Sequence, residues 1–283
     1  MKKLLGWLGY GWRLVGTALS FSLFGVIGIL LGLLFFPLTR FLPLGSALRR
    51  EFGCRIVCAC FRGFIGFMRL VGVLTYDFGA VERLGHPGQL ILANHPSLID
   101  VVFLIGFTRR AGCVVKAALW KNPFTGGVVA SAGYVPNFPT VLMVEGAAAV
   151  LGQDYPVIMF PEGTRTTPGA PLDFHRGAAS VAVRAARVVT PVFIWVDPTT
   201  LTKEEPWYRI PLRRPHFTLV VGDDLDPSTF VVGTSLPIAA RALNAHLLAL
   251  FSGVLEAGPA RATDTAVLHE TGIIRDSLSG KTG

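Results

Sequence analysis

Hydrophobic positions fall into three regimes along the chain. The first runs from residue 14 to 39, where 26 consecutive residues carry no charge and most are Leu, Phe, Val, Ile or Gly. A membrane-crossing helix needs only about 20 such residues. This run therefore predicts a membrane-anchoring helix, with Pro37 near its end. A signal peptide is the alternative, since Lys2 and Lys3 suit its basic start. The run is too long for the apolar core of a signal peptide, however, and no small-x-small cleavage site follows Phe36-Pro37. The anchor either spans the bilayer or bends at Pro37 and sits within one leaflet.

The second regime, residues 40–75, is apolar but basic. Arg55, Arg62 and Arg69 alternate with Phe61, Phe64, Phe67 and Met68. One reading is an amphipathic helix in the headgroup region, its arginines snorkelling towards anionic lipid. The other is a core helix of the following domain with its arginines in solvent.

In the third regime short apolar runs alternate with helical patterns. Strands are expected at 89–93, 113–115, 134–135, 156–160, 191–196 and 216–221. Helices are expected at 97–107, 117–131 (broken near Pro123 and Gly126-Gly127), 141–151, 176–187 and 237–255. This alternation predicts an α/β fold, a mixed β-sheet flanked by helices. The predicted layout is an anchor at 1–43, an amphipathic segment at 44–78, a catalytic domain at 79–257 and a loosely ordered tail at 258–283.

Composition changes this picture little. The chain is 51% hydrophobic and 16% charged, too apolar for an ordinary soluble protein, and the excess lies in the first regime. The net charge of +8 sits beside apolar surface, with no nucleic-acid motif. It therefore points to an anionic membrane surface and away from nucleic acid. Six arginines follow the anchor between 40 and 69, against Lys2, Lys3 and Arg13 before it. This bias predicts a catalytic domain on the cytoplasmic face. Cys54, Cys58, Cys60 and Cys113 lack metal spacing and read as small buried hydrophobes of a reducing compartment. No metal or cofactor is expected.

Two fragments carry chemistry. The first is Asn94-His95-Pro96-Ser97-Leu98-Ile99-Asp100, directly after the apolar run 89–93. A strand ending there leaves His95 at the carboxyl edge of the sheet, where open α/β sheets place ligands. Asp100 falls one turn further on, within reach of the imidazole. A carboxylate on one ring nitrogen fixes the tautomer and stabilises the imidazolium, so the other nitrogen can take a proton from a hydroxyl. Ser97-x-x-Asp100 also resembles a helix-capping box, in which case Asp100 only holds a helix start. The second fragment is Phe160-Pro161-Glu162-Gly163-Thr164-Arg165, after the run 156–160. Gly163 permits a tight turn. Thr164 offers a hydroxyl, and Arg165 a planar fork suited to phosphate or carboxylate.

In this order and some sixty-five residues apart, the two fragments resemble the His-x4-Asp and Phe-Pro-Glu-Gly-Thr-Arg motifs of the glycerolipid acyltransferases, which include the lysophosphatidate acyltransferases. The similarity covers roughly residues 45 to 225. It implies that His95 is the general base, that Asp100 orients it, and that Glu162, Gly163, Thr164 and Arg165 organise and bind the acceptor. It further implies an acyl-CoA or acyl carrier protein donor, a lysolipid acceptor and a bacterial inner-membrane location. A further block runs from Lys121 to Asn137, where the family usually has an arginine assisting the acceptor phosphate. Asn137 keeps hydrogen bonding but not the charge, and Lys116 or Lys121 is placed to compensate. The wording of 89–100 and 114–123 is similar to bacterial acyltransferases of aryl-polyene-type gene sets, which widens the acceptor question to lipids without a glycerol phosphate. Phe174-His175-Arg176-Gly177 also fits the family, with His175 a surface group rather than a second base.

Other functions compete. A hydrolase would use the same pair on water. A non-catalytic membrane module would not need His95, Asp100, Glu162 and Arg165 together. A metal phosphohydrolase lacks ligands.

Overall fold

The fold is that of a computed structural model, which describes residues 2–39, 41, 45–122 and 125–262. The chain begins with α1 (Lys2–Leu30), which continues through a π-helical turn, Leu31–Phe35, into α2 (Phe36–Thr39). The helix thus starts well before the charge-free run. Next comes α3 (Ser46–Leu70), and then the α/β domain: β1 (Thr75–Gly79), β2 (Gln89–Ala93), α4 (Asp100–Phe107), β3 (Gly112–Val115), α5 (Ala118–Lys121), α6 (Gly126–Ser131), β4 (Val135–Pro136), α7 (Thr140–Gly152) and β5 (Val157–Met159). It closes with α8 (Gly177–Ala185), β6 (Val188–Asp197), β7 (His216–Val221), α9 (Leu236–Ala257) and α10 (Pro259–Ala262). Of the tail expected at 258–283, residues 263–283 lie outside the described residues. Pro123 and Phe124 of the Lys121 block do as well.

The seven strands form one mixed sheet in the order β1-β7-β6-β2-β5-β3-β4. The run β6-β2-β5-β3-β4 is parallel throughout, and β7 joins β6 antiparallel. The strand β1 starts within the segment, 44–78, that the sequence pattern assigned to an amphipathic helix, and crosses its expected end. It pairs parallel with β7, so it runs against the central strands.

The central strands are apolar along their whole length because both faces of the sheet are covered. All five residues of β2 are buried. Leu90 and Leu92 belong to the core under α7, α8 and α9. Ile91 and Ala93 belong to the core under α3 and α4. The helix α9 is long and apolar enough to cross a membrane, but Ala240, Leu243, Leu247 and Phe251 are buried along its inner face in the core.

The helix α3 has the form of the second reading of residues 40–75, a core helix with its arginines in solvent. Cys54, Val57, Ile65 and Met68 lie in the core, while Arg55, Arg62 and Arg69 are exposed. Close packing is possible because a side chain at Gly53 would meet the Ser131 carbonyl at 2.6 Å. Burial pushes the Cys54 thiol up to about 11 and the Cys113 thiol up to about 12, as small apolar residues would require.

The helix α1 lies along this layer. Trp12 Nε1 donates to the Val71 carbonyl at 2.8 Å, and Phe24 packs on Phe64 with ring centroids 4.6 Å apart. Its other side exposes Leu8, Val15, Leu19, Leu23 and Val26, with Trp12 at the margin, an apolar stripe at helical spacing.

Candidate active site

Five adjacent parallel strands deliver their following residues to one sheet edge. Those loops hold 198–203 after β6, His95 after β2, Glu162–Arg165 after β5, Lys116 after β3 and Asn137 after β4. The carboxyl edge is where such sheets place their ligands. Strands are spaced about 4.8 Å apart, so Lys116 leaves the sheet roughly 10 Å and Asn137 roughly 14 Å to the side of His95.

The loop after β2 is held on every side. The buried Asn94 side chain acts like an added strand residue. Its amide donates to the Ile194 carbonyl, and its oxygen accepts the Ile194 N–H, both at 2.8 Å. The next residue, His95, presents Nδ1 to Asp100 Oδ2 at 3.1 Å. A carboxylate there selects the Nδ1–H tautomer and leaves the Nε2 lone pair free to take a proton. The imidazole stacks on Phe160, with ring centroids 4.1 Å apart and planes 22° apart.

Asp100 is the first residue of α4, not an internal one: the helix expected from 97 starts three residues later. The Ser97 N–H reaches Asp100 Oδ2 at 2.6 Å, while the buried Ser97 hydroxyl has no partner among the described residues. This is half a capping box. Cap and imidazole partner therefore converge on one carboxylate oxygen. The side chain is fully buried. Desolvation pushes the Asp100 carboxyl above the usual carboxylate range, opposed by the His95 hydrogen bond and the Ser97 N–H.

The second motif grips the first through its backbone. Glu162 Oε1 accepts the His95 N–H at 3.0 Å and the Thr166 hydroxyl at 2.7 Å. The Thr166 N–H donates back to the His95 carbonyl at 2.8 Å. Burial also pushes the Glu162 carboxyl up, opposed by Thr166 and the His95 N–H. Gly163 has φ +65°, and a Cβ there would meet the His175 ring at 2.9 Å. The turn needs glycine on both counts. The Gly163 N–H closes on the Phe160 carbonyl at 3.0 Å. The exposed His175 lies against this turn.

Arg165 sits differently from a free anion fork. Its Nη1 donates to the Leu201 carbonyl at 2.9 Å and the Thr202 carbonyl at 2.7 Å, and Nη2 to the Lys203 carbonyl at 3.3 Å. The Leu201 carbonyl also accepts the Leu98 N–H at 3.1 Å, inside the His95–Asp100 turn. Thr164 is half-buried beside it. On the far side, Asn137 Oδ1 accepts the Ala117 N–H at 3.1 Å, and the Asn137 N–H donates to the Val115 carbonyl at 2.8 Å. Asn137 thus pins the residues on either side of the exposed Lys116.

Sequence reasoning gave no roles to Asn94, Phe160 and Thr166. Asn94 and Phe160 lie within the quoted motifs, and Thr166 follows the second directly, so adjacency was the available signal. Among the described residues no group of three or more His, Cys, Asp or Glu could hold a metal.

Known proteins resemble this chain in sequence and in fold. A family model described as Acyltransferase matches residues 79–195. The chain is 27% identical over 184 residues to a 1-acyl-sn-glycerol-3-phosphate acyltransferase of Pseudomonas aeruginosa, covering 63% of this chain and 70% of that one. It is 28% identical over 147 residues to the enzyme of the same name from Helicobacter pylori, covering 50% of this chain and 58% of that one. The chain thus spans between half and three quarters of these relatives' lengths. Its fold matches the crystal structure of the 1-acyl-sn-glycerophosphate acyltransferase PlsC from Thermotoga maritima, with a TM-score of 0.59 and 20% identity, over 88% of this chain and 96% of that one. With both motifs assembled at one edge of the sheet, residues 79–195 match the Acyltransferase family model, and the chain is similar in sequence and fold to 1-acyl-sn-glycerol-3-phosphate acyltransferases.

Proposed function

We propose that the protein moves a fatty acyl group from a thioester of coenzyme A or acyl carrier protein to a hydroxyl of a lysophosphatidate-like lysolipid. The observation that carries this is the 3.1 Å contact between His95 Nδ1 and the buried Asp100 carboxylate, in a domain of this family. His95 Nε2 takes the proton of the acceptor hydroxyl as its oxygen attacks the thioester carbon. The tetrahedral intermediate expels the thiolate, which receives that proton from the imidazolium. Asp100 holds the ring and stabilises its charged form. Glu162 and Thr166 act through the His95 backbone, and Lys116 and Arg165 supply positive charge for the acceptor.

The membrane setting follows from α1. It packs on the domain through Trp12, Phe21 and Phe24, so its exposed stripe carries the whole domain to the bilayer. In this reading the stripe sits in one leaflet, with the domain on the cytoplasmic face of a bacterial inner membrane, where both donors are found.

A second acceptor class is favoured by one observation. Asn137 replaces the family's arginine and is engaged with backbone, which suits a lysolipid without a phosphate at that point. The test offers the purified protein a panel of phosphorylated and uncharged lysolipids with labelled acyl-CoA and acyl carrier protein, and identifies products by mass. Acylated lysophosphatidate supports the first reading. Acylation of uncharged acceptors alone selects the second, and release of free fatty acid alone overturns both.

A further inference from the structure

The connection between β6 and β7, residues 198–215, is long for a compact domain, and long connections are usually functional. Its root belongs to the site. The carbonyls of Leu201, Thr202 and Lys203 hold the Arg165 guanidinium, and the Leu201 carbonyl also holds the Leu98 N–H. Its outer part has a different chemistry. Trp207 and Tyr208 form an edge-on pair with centroids 5.8 Å apart, and they are 45% and 58% exposed; Leu212 is 71% exposed. Arg209, Arg213 and Arg214 are interleaved with them, all exposed. Arg213 makes an exposed 3.5 Å pair with Asp197, while Arg209 and Arg214 have no acidic partner among the described residues. The segment's acids, Glu204 and Glu205, lie next to the root, where Glu205 accepts the Thr202 N–H at 3.3 Å.

This outer part rests on α1. Trp207 packs on Phe21, with centroids 6.4 Å apart, and Arg13 donates to the carbonyls of Pro211 and Leu212. It thus brings its exposed aromatic and apolar groups to the same helix that carries the exposed stripe at Trp12, Val15 and Leu19. Leu70, 83% exposed at the end of α3, lies beside Val71, which is bonded to Trp12. Aromatic rings with a polar edge, set among unpaired arginines and joined to an apolar helix face, match the level of a bilayer where tails meet anionic headgroups.

We propose that residues 203–214 are a second membrane contact that seats on anionic phospholipid and holds the catalytic edge at headgroup level. A single helix in a leaflet leaves a domain free to roll about the helix axis. A second contact beside it removes that freedom. Because the root of the loop carries Arg165, seating the loop also sets the height of the acceptor site. This deepens the proposed function and rests on the acceptor being a bilayer lipid.

The test uses the full chain with phosphatidylethanolamine vesicles, with and without phosphatidylglycerol. The emission of wild type minus that of Trp207→Phe isolates Trp207. It should shift to the blue and be quenched by lipids brominated high on their tails, more strongly with phosphatidylglycerol present. Arg209→Glu with Arg214→Glu, and separately Leu212→Asp, should raise the KM for a vesicle-borne acceptor roughly tenfold. Transfer to a short-chain monomeric acceptor should stay within about twofold. Trp207 emission unshifted and unquenched in vesicle-bound protein overturns the proposal. So do equal losses on both acceptors, or a shift produced only by acidic acyl carrier protein. If no acyl transfer occurs at all, the functional reading has failed, and quenching still decides the fate of the loop.

Discussion

The two sides of the catalytic edge are built differently. After β2, the His95–Asp100 turn is tied by its backbone and by Asn94 to distant segments: Asn94 on Ile194, His95 N–H on Glu162, Leu98 N–H on Leu201. Asp100 is fully buried. After β3 and β4 the groups are exposed, and Asn137 is occupied by its neighbours Val115 and Ala117. In the proposed reaction the first side fixes the geometry of proton transfer from the acceptor hydroxyl, and the second side meets the acceptor headgroup. Preorganisation lies where the chemistry is constant, and exposure where the substrate can vary.

The largest effects should come from the fixed side. His95→Ala is expected to lower kcat by about 10²–10⁴-fold, the usual contribution of a positioned base. Asp100→Asn should cost about 10²-fold or more, although asparagine can still accept the Ser97 N–H. The pair should be strongly non-additive, because both act on one proton transfer. Kinetics of the two single variants and the double variant check this. If Asp100→Asn keeps most of the activity, Asp100 is a helix cap alone. His95→Ala also removes the partner that chiefly opposes the desolvation of Asp100. The Asp100 carboxyl is then pushed further up. The stability of the variant relative to wild type should fall as pH rises from the carboxylate range to neutrality, measured by denaturant midpoints.

This contrast also explains what the sequence made legible. The strands β2 and β5 could be read because they are buried on both faces and so appear as unbroken apolar runs. Their following motifs could be read because proton transfer and a positive-φ turn demand particular residue types. The strand β1 could not: Thr75–Gly79 carries Asp77 and lies at the sheet edge, so its sequence shows neither a buried run nor a clean alternation. The start of α4 was misplaced because Ser97 carries the signature of a cap, while its hydroxyl makes no capping bond. The grip of Arg165 on Leu201, Thr202 and Lys203 spans 36 to 38 residues, and no local pattern encodes it.

Arg165 lies between the two sides, and Arg165→Lys measures how far it belongs to each. A lysine cannot reach three carbonyls in the plane of a fork. Loss of the grip should lower thermal stability and loosen the Leu98 turn, with kcat/KM falling roughly tenfold, since hydrogen bonds to charged groups contribute about 1.5–3 kcal/mol. A fall in kcat accompanied by a lower Tm assigns Arg165 to the frame. A rise in acceptor KM at unchanged Tm assigns it to the headgroup.

A smaller effect is expected at Glu162. Glu162→Gln keeps an oxygen to accept the His95 N–H and the Thr166 hydroxyl, so kcat should fall only a few-fold. The Glu162 carboxyl is raised above its ordinary 4.5 by burial. A raised carboxyl contributes its full stability below the unfolded value and loses it as pH rises through the folded one. The stability of Glu162→Gln relative to wild type should therefore improve between about pH 4 and pH 7. A difference that is flat with pH would show that Glu162 is not the buried carboxylate described here, and an activity loss as deep as that of His95→Ala would move it into the proton-transfer machinery.

The smallest effects belong to the variable side, and there the distances decide the design. Asn137 leaves the sheet about three strand spacings from His95, too far for its short side chain to share a phosphate with a hydroxyl held at the base. Lys116 is one strand nearer, has a longer side chain, and is flanked by the two residues that Asn137 holds. Asn137 is therefore expected to act through Lys116. Asn137→Ala should raise the KM for lysophosphatidate about threefold in the wild-type background, and change it little when Lys116 is already alanine. Asn137→Arg tests the charge itself. It loses the bond to the Ala117 N–H, worth about 0.5–1.5 kcal/mol, but its longer side chain brings back the positive charge found at this place in the resembling enzymes. With a phosphorylated acceptor the two changes should nearly cancel. With an uncharged acceptor only the loss remains, so kcat/KM should fall by roughly threefold or more. Equal losses on both acceptors would mean that the far side of the edge reads no charge, and that the acceptor is selected within the loops after β2, β5 and β6.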